Sequence, residues 1–216
     1  KFDKFEIRQY EASLFTSVKL STNEYEKASS QGFSILAGYI FGGNETNEKI
    51  LSLHLGFYLA SWGMYRGSSK LLQKDYLVHL EATRIIKKYW YLRCEQNNEV
   101  EIKHLDSILQ LIKELSSYYK EENNVTATDT LISKIILGTL GCLPAFDRYF
   151  IEGVKNEGYS FKTLKKRSLV ELFSYIESDL DLKEIQNKYP QYPKMKIIDM
   201  YFWQIGFNLE KKDEAL

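Results

Sequence analysis

The sequence predicts a mainly α-helical protein that carries a short β-hairpin and one helix at its N-terminal end. Residues 5 to 20 alternate apolar and polar side chains, which is typical of strands. From residue 49 onward, apolar residues recur at spacings of three and four, which is typical of helices. We therefore expect two parts, residues 1–50 with the hairpin and residues 51–216 as a multi-helix domain.

The N-terminal part contains two strands and a helix. In "FEIRQY", Phe5 and Ile7 alternate with charged residues, and "LFTSVKL" repeats the pattern after a short connection. Ser21 and Glu24 have the spacing of a capping box, so a helix should begin there and end at the glycines 42 and 43. A two-stranded ribbon with one helix is too small to be stable alone, so it must pack on the helical part or on a partner.

The remaining elements follow from apolar periodicity and from capping residues. A helix over 49–62 should end near Gly63, and Ser68 or Ser69 should cap a long helix that reaches about Arg93. Thr128 should cap a later helix, and Pro193 suits the first turn of the last one. The other predicted helices span 100–121, 146–154, 161–177, 179–188 and 193–209.

Composition restricts the environment and the partners. The net charge is zero, so no overall attraction to nucleic acid or to a membrane surface is expected. No apolar run approaches the roughly 18 residues of a membrane span. The two cysteines form no C-x-x-C motif, which favours a reducing cytoplasm.

Residues 5–50 resemble the SOUL/haem-binding protein family. The residues that match in order and spacing are Phe5 to Glu11, Tyr25, Ala28, Gly32-Phe33, Leu36, Tyr39 to Asn44 and Lys49-Ile50. The resemblance implies an α+β fold and an apolar groove for a tetrapyrrole such as haem. After Ile50 the family continues with Ala-Met-Thr-Ala-Pro-Val and further strands, whereas this chain continues with "LSLHL".

The tetrapyrrole hypothesis names three candidate residues. Phe33 and Tyr39 lie in the segment that resembles the family, and His54 lies among apolar residues where it could ligate haem iron. The alternative for His54 is a structural histidine in the core. No histidine lies between Glu24 and Phe41, so the family-like helix itself offers no axial ligand.

The helical part contains the stretch "WGMYRGSS", residues 62–69. Arg66 and Ser68 stand between and after glycines and ahead of a predicted helix, a pattern that could bind an anion or a phosphate. The alternative is an inter-helix turn that Ser68 caps, with Arg66 paired to a carboxylate. The spacing differs from that of a P-loop.

A second stretch, "GTLGCLPAFDRYF", precedes another predicted helix. It loosely resembles the helix-hairpin-helix region of DNA glycosylases, so Asp147 is a candidate site residue, and Arg148 is a candidate contact to nucleic acid or a phosphate-bearing ligand. The simpler interpretation is that Asp147 interacts favourably with a helix dipole. Cys142 has no histidine near it in sequence that could activate it as a nucleophile. This stretch and "HLGFYLASWGMYRGSSKLL" also resemble uncharacterised bacterial helical proteins, so the chain could be a chimera of two unrelated sequences.

These observations favour a non-enzymatic binding protein for an apolar ligand. No familiar hydrolase, nucleotide-binding or EF-hand motif occurs, so no catalytic residue is predicted. The three histidines and their nearest carboxylates lack helical ligand spacing, so no metal site is predicted. The alternatives are a helical domain that binds nucleic acid or a phosphate-bearing ligand, and a helical interaction protein without a small ligand.

Overall fold

The computed structural model describes residues 48–66, 70–95, 99–178 and 180–213. The chain divides into two compact units, Lys1–Gly42 and Gly43–Leu216, and every described residue belongs to the second unit. The predicted hairpin and the helix after it lie outside the described residues, as do Phe33, Tyr39 and Ser68. The division of the chain at residue 50 stays a prediction.

The second unit is helical, which confirms the predicted mainly α class. Its described residues contain an isolated bridge at Glu95 but no strand. The eight α-helices are α1 Glu48–Ser61, α2 Leu80–Lys88, α3 Leu105–Ser117, α4 Asp129–Thr139, α5 Arg148–Asn156, α6 Lys166–Ser178, α7 Leu180–Lys188 and α8 Lys194–Asp213. Short 3-10 turns occupy Lys70–Gln73, Tyr76–His79, Trp90–Leu92 and Ile102–His104, and a π-type turn extends α3 over Tyr118–Glu122.

The prediction of one long helix that reaches Arg93 is wrong. Asp75 accepts a hydrogen bond from the Leu77 backbone N–H at 2.8 Å and begins the turn Tyr76–His79. Only α2, nine residues long, has regular helical geometry in this region. A side chain that bonds to its own backbone competes with helix continuation, which explains the interruption.

Helix α4 lies at the centre of the unit. Every residue from Leu131 to Thr139 is buried, as expected of a helix that is apolar around most of its circumference. The predicted cap is confirmed, because the Thr128 hydroxyl accepts the Leu131 backbone N–H at 3.1 Å. Helix α3 turns an apolar face inward; its buried residues are Leu105, Ile108, Leu111 and Leu115.

Helices α5 and α8 approach so closely that only glycine fits between their backbones. A Cβ atom on Gly153 would lie 1.9 Å from the Phe202 carbonyl oxygen. A Cβ atom on Gly206 would lie 2.0 Å from the Tyr149 carbonyl oxygen. Around the crossing, aromatic rings pack edge to face, with the Phe150 and Phe202 centroids 5.7 Å apart. At the start of α5, Asp147 pairs with Lys134 on α4.

Candidate functional site

The turn after α1 contains the stretch that the sequence marked as an anion site. Helix α1 ends in a Schellman arrangement, in which Gly63 N–H donates to the Ala60 carbonyl and Met64 N–H donates to the Leu59 carbonyl, both at 2.9 Å. Gly63 has φ +66°, a conformation that favours glycine. The Arg66 guanidinium folds back over this residue, since a Cβ on Gly63 would lie 2.8 Å from Arg66 Nη2.

Two lysines contact the aromatic ring that begins this turn. The ammonium group of Lys134 lies 4.1 Å from the Trp62 ring centroid, and that of Lys196 lies 5.5 Å from it. Each lysine also has a carboxylate partner: Lys134 pairs with Asp147 at 3.0 Å and Lys196 pairs with Asp199 at 2.9 Å. We call these five residues the Trp62 cluster. It joins the end of α1, the middle of α4, the start of α5 and the first turns of α8.

The carboxylates of the Trp62 cluster are held in place by the backbone. Asp147 Oδ1 accepts the Phe150 N–H at 3.1 Å and so caps α5. Asp199 Oδ1 accepts the Ala145 N–H at 2.8 Å. Each carboxylate therefore uses one oxygen for the backbone and the other for an ammonium group. The side chains of Lys134 and Asp199 are both only 6% exposed, so this pairing offsets the cost of burying their charges.

Tyr58 connects α1 to α4 beneath the cluster. Its hydroxyl donates to the Lys134 carbonyl at 3.1 Å. Burial, and secondarily the negative charge of Asp199, raises the pKa of Tyr58 far above its ordinary value. Its ring occupies the space that a side chain at position 138 would need, because a Cβ on Gly138 would lie 2.2 Å from the Tyr58 ring. Tyr58 is therefore a neutral packing and hydrogen-bonding residue.

The other end of the turn is anchored by a buried histidine. His79 Nε2 lies 2.6 Å from the Tyr65 hydroxyl, and His79 Nδ1 lies 2.7 Å from the Tyr119 hydroxyl. Burial lowers the pKa of His79 to about 4 and raises the pKa of Tyr65 to about 12. A neutral imidazole has one N–H, so it donates to one tyrosine and accepts from the other. We call these three residues the Tyr–His–Tyr chain.

The predicted site residues lie in different surroundings. His54 on α1 is 5% exposed, and burial lowers its pKa. Arg148 forms an ion pair with Glu210 on α8, which also accepts the Tyr149 hydroxyl. Asp147 lies at the start of α5, where the simpler interpretation of its sequence expected a favourable charge, and its side chain also caps the helix. Among the predicted site residues that the structure describes, Asp147 is linked to Trp62 through Lys134, and Arg66 lies against Gly63, the residue after Trp62.

Sequence reasoning missed the lysines and the histidine of this region. Lys134 had a signal, because it is the one charged residue in the apolar run "LISKIIL". Lys196 and Asp199 are three residues apart on α8, a spacing at which helical side chains meet. His79 gave no such signal, since its partners Tyr65 and Tyr119 are 14 and 40 residues away along the chain.

The two cysteines offer no reactive thiolate. Both are buried and free. Burial raises the pKa of Cys94 to about 12 and raises the pKa of Cys142 well above its ordinary value. Since the thiolate is the nucleophilic form, neither residue is activated for covalent chemistry.

Two further features are absent from the part of the chain that the structure describes. That part of the chain contains no group of three or more histidine, cysteine, aspartate or glutamate side chains placed to hold a metal ion. None of its helices is both long and apolar enough to cross a membrane.

Comparison with known proteins identifies only the N-terminal segment. Residues 1–54 match the family described as SOUL heme-binding protein, which is 54 of 216 residues. The segment therefore resembles this family, as its residues predicted, and the match runs into α1 as far as His54. No curated protein matches the chain. No solved structure matches it either.

Proposed function

We propose that this chain is a non-enzymatic binding protein for an apolar ligand of the tetrapyrrole class, such as haem. The observation that carries the proposal is the match of residues 1–54 to the SOUL heme-binding family. Phe33 and Tyr39 lie inside that segment and are the proposed apolar contacts. Residues 51–216 form a separate helical domain in this proposal. The two free cysteines favour a cytoplasmic location.

His54 fits the chemistry of an axial haem ligand in one respect and fails in another. Burial lowers its pKa, so the imidazole is neutral near pH 7, which is the form that ligates iron. Its side chain is almost fully covered, at 5% exposure, and an axial ligand must present a ring nitrogen to the iron. Ligand recognition therefore rests on apolar contact and not on ligation of the haem iron by His54.

Absorption spectroscopy on the full chain tests the proposal. Haemin and iron-free protoporphyrin IX are titrated separately, and the Soret band is recorded for each. Recognition by apolar contact predicts saturable changes with both porphyrins. Replacing Phe33 or Tyr39 with aspartate should weaken both, because a charge opposes burial of the ligand.

Two control variants make the result specific. Phe57 is an exposed phenylalanine on α1, 49% accessible and beyond the matched segment, so Phe57→Asp should leave binding unchanged. His54→Ala should also leave porphyrin binding unchanged, whereas selective loss of haemin binding would assign it as the iron ligand. The proposal fails if neither porphyrin produces a saturable change, or if Phe57→Asp weakens binding as much as Phe33→Asp.

A further inference from the structure

Arg66 is an exposed cation on the turn after α1. Within the described part of the chain it forms no ion pair with a carboxylate and no hydrogen bond. Its only close neighbour of note is Gly63, against which its guanidinium lies. By contrast, Arg84, Arg93 and Arg148 are each paired with a glutamate. The sequence-based alternative, in which Arg66 pairs with a carboxylate, is therefore not found among the described residues.

The backbone that leads into Arg66 is anchored at two points, Trp62 and Tyr65. Trp62 is in contact with the ammonium groups of Lys134 and Lys196. Tyr65 is hydrogen-bonded to His79 at 2.6 Å, and His79 is held in turn by Tyr119. A side chain on an anchored turn loses less conformational freedom when it binds a ligand. The contacts of Trp62 and Tyr65 therefore restrict the backbone immediately before Arg66.

Positive charge exceeds negative charge at this turn. Arg66, Lys134 and Lys196 carry three positive charges, and Asp147 and Asp199 carry two negative charges. Each ammonium group has three N–H donors and a hydrogen bond to only one aspartate oxygen. Donor capacity therefore remains beside the half-buried Trp62 ring.

We propose that the Trp62–Arg66 turn binds the phosphate group of a small molecule, with Arg66 as its principal contact. The guanidinium presents paired N–H donors that match two phosphate oxygens. A nucleic-acid backbone fits less well, because it needs a row of exposed cations, whereas the Lys134 and Lys196 side chains are 6% and 16% exposed. The proposal is independent of tetrapyrrole binding by the N-terminal segment.

Tryptophan fluorescence of the full chain tests this site with inorganic phosphate as the probe. Replacing Trp90 and Trp203 with phenylalanine leaves Trp62 as the only tryptophan. Added phosphate should change its emission saturably, whereas sodium chloride at the same ionic strength should not. Arg66→Gln should weaken the phosphate response about tenfold, because a hydrogen bond to a charged group contributes about 1.5 kcal/mol.

A matched control is Arg167→Gln. Arg167 is exposed and likewise has no ion pair among the described residues, but it lies on α6, outside the Trp62 cluster. This variant should bind phosphate like the parent. A thermal-melt measurement on the unmodified chain, with phosphate against chloride, gives a second readout that does not depend on the tryptophan replacements.

Four outcomes would overturn the proposal. They are an absence of saturation with phosphate in both measurements, an equal response to chloride, an unchanged affinity in Arg66→Gln, and an equal loss in Arg167→Gln. Retention of a short single-stranded oligonucleotide without any response to inorganic phosphate would also overturn it, by assigning the cations to a nucleic-acid surface.

Discussion

Replacing Gly153 with alanine should destabilise the helical unit, although alanine is the better helix former. The new Cβ would lie 1.9 Å from the Phe202 carbonyl oxygen and 2.7 Å from its carbonyl carbon. Ordinary contact needs about 3.5 Å, so α5 and α8 must separate by roughly 1.5 Å. Both obstructing atoms belong to the backbone and cannot rotate away. The aromatic packing around Phe202 must therefore open.

Two opposing contributions set the size of this effect. Overpacking in a well-packed core costs about 1–3 kcal/mol, and a backbone obstruction belongs at the upper end of that range. The change from glycine to alanine inside a helix contributes about 1 kcal/mol in the favourable direction. The expected net loss is about 2 kcal/mol, which for a chain of this size lowers the melting temperature by about 4–8 °C.

Circular dichroism at 222 nm during thermal and urea unfolding measures the change. Gly56→Ala on α1 is a suitable comparison, because the nearest atoms to its Cβ are side-chain atoms of Tyr65 and His79 at 3.3 and 3.4 Å. That variant should stay within about 1 kcal/mol of the parent. A Gly153→Ala protein as stable as the parent or as Gly56→Ala would refute the close crossing of α5 and α8.

Three further predictions concern buried polar groups. Asp147→Ala removes the cap of α5 and leaves the buried ammonium of Lys134 without its carboxylate partner. The free energy of unfolding, measured with urea, should fall by about 3–5 kcal/mol. A fall of only about 1 kcal/mol would mean that the ion pair contributes nothing beyond the cap. Burial lowers the pKa of His79 to about 4, below the value of about 6.5 in the unfolded chain, so the unfolded state binds the proton first. This contribution to the free energy of unfolding, about 3 kcal/mol, is complete above about pH 6.5 and is lost as the pH falls through about 4. The urea midpoint of His79→Phe should therefore depend less on pH between about 6.5 and 4 than that of the parent. An equal pH dependence of the two midpoints would contradict the assignment. Because Cys94 and Cys142 are buried with raised pKa values, a thiol-reactive dye at pH 8 should label them only after unfolding, and rapid labelling of the native chain would contradict their burial.

Features that depend on neighbouring residues were predictable from the sequence. Periodicity located most of the helices, and the cap at Thr128 lies where the pattern placed it. The sequence pattern did not identify Asp75 as a cap. It therefore predicted one continuous helix where the structure has an interruption. The error was in the choice between two local interactions, since both helix continuation and side-chain capping are compatible with that stretch.

The partners of the charged residues could not be predicted in this way. Arg148 was a candidate for ligand binding, yet it pairs with Glu210, 62 residues away. Arg66 was equally plausible as a paired residue, yet it has no carboxylate partner within the described ranges. Nothing in the residues next to either arginine distinguishes these outcomes, because the distance between two charges depends on how the helices pack.

By itself, the sequence predicted the helical class that the described part of residues 51–216 shows, most helix positions there, and the resemblance of residues 5–50 to the SOUL family, which the match over residues 1–54 confirms. These follow from spacing along the chain, which fixes what meets within one or two helical turns. Tertiary structure alone decided that Lys134 and Lys196 meet at Trp62, and that His79 lies between Tyr65 and Tyr119. The physical reason is that burial and helix packing select partners tens of residues apart, and no short-range pattern records that choice.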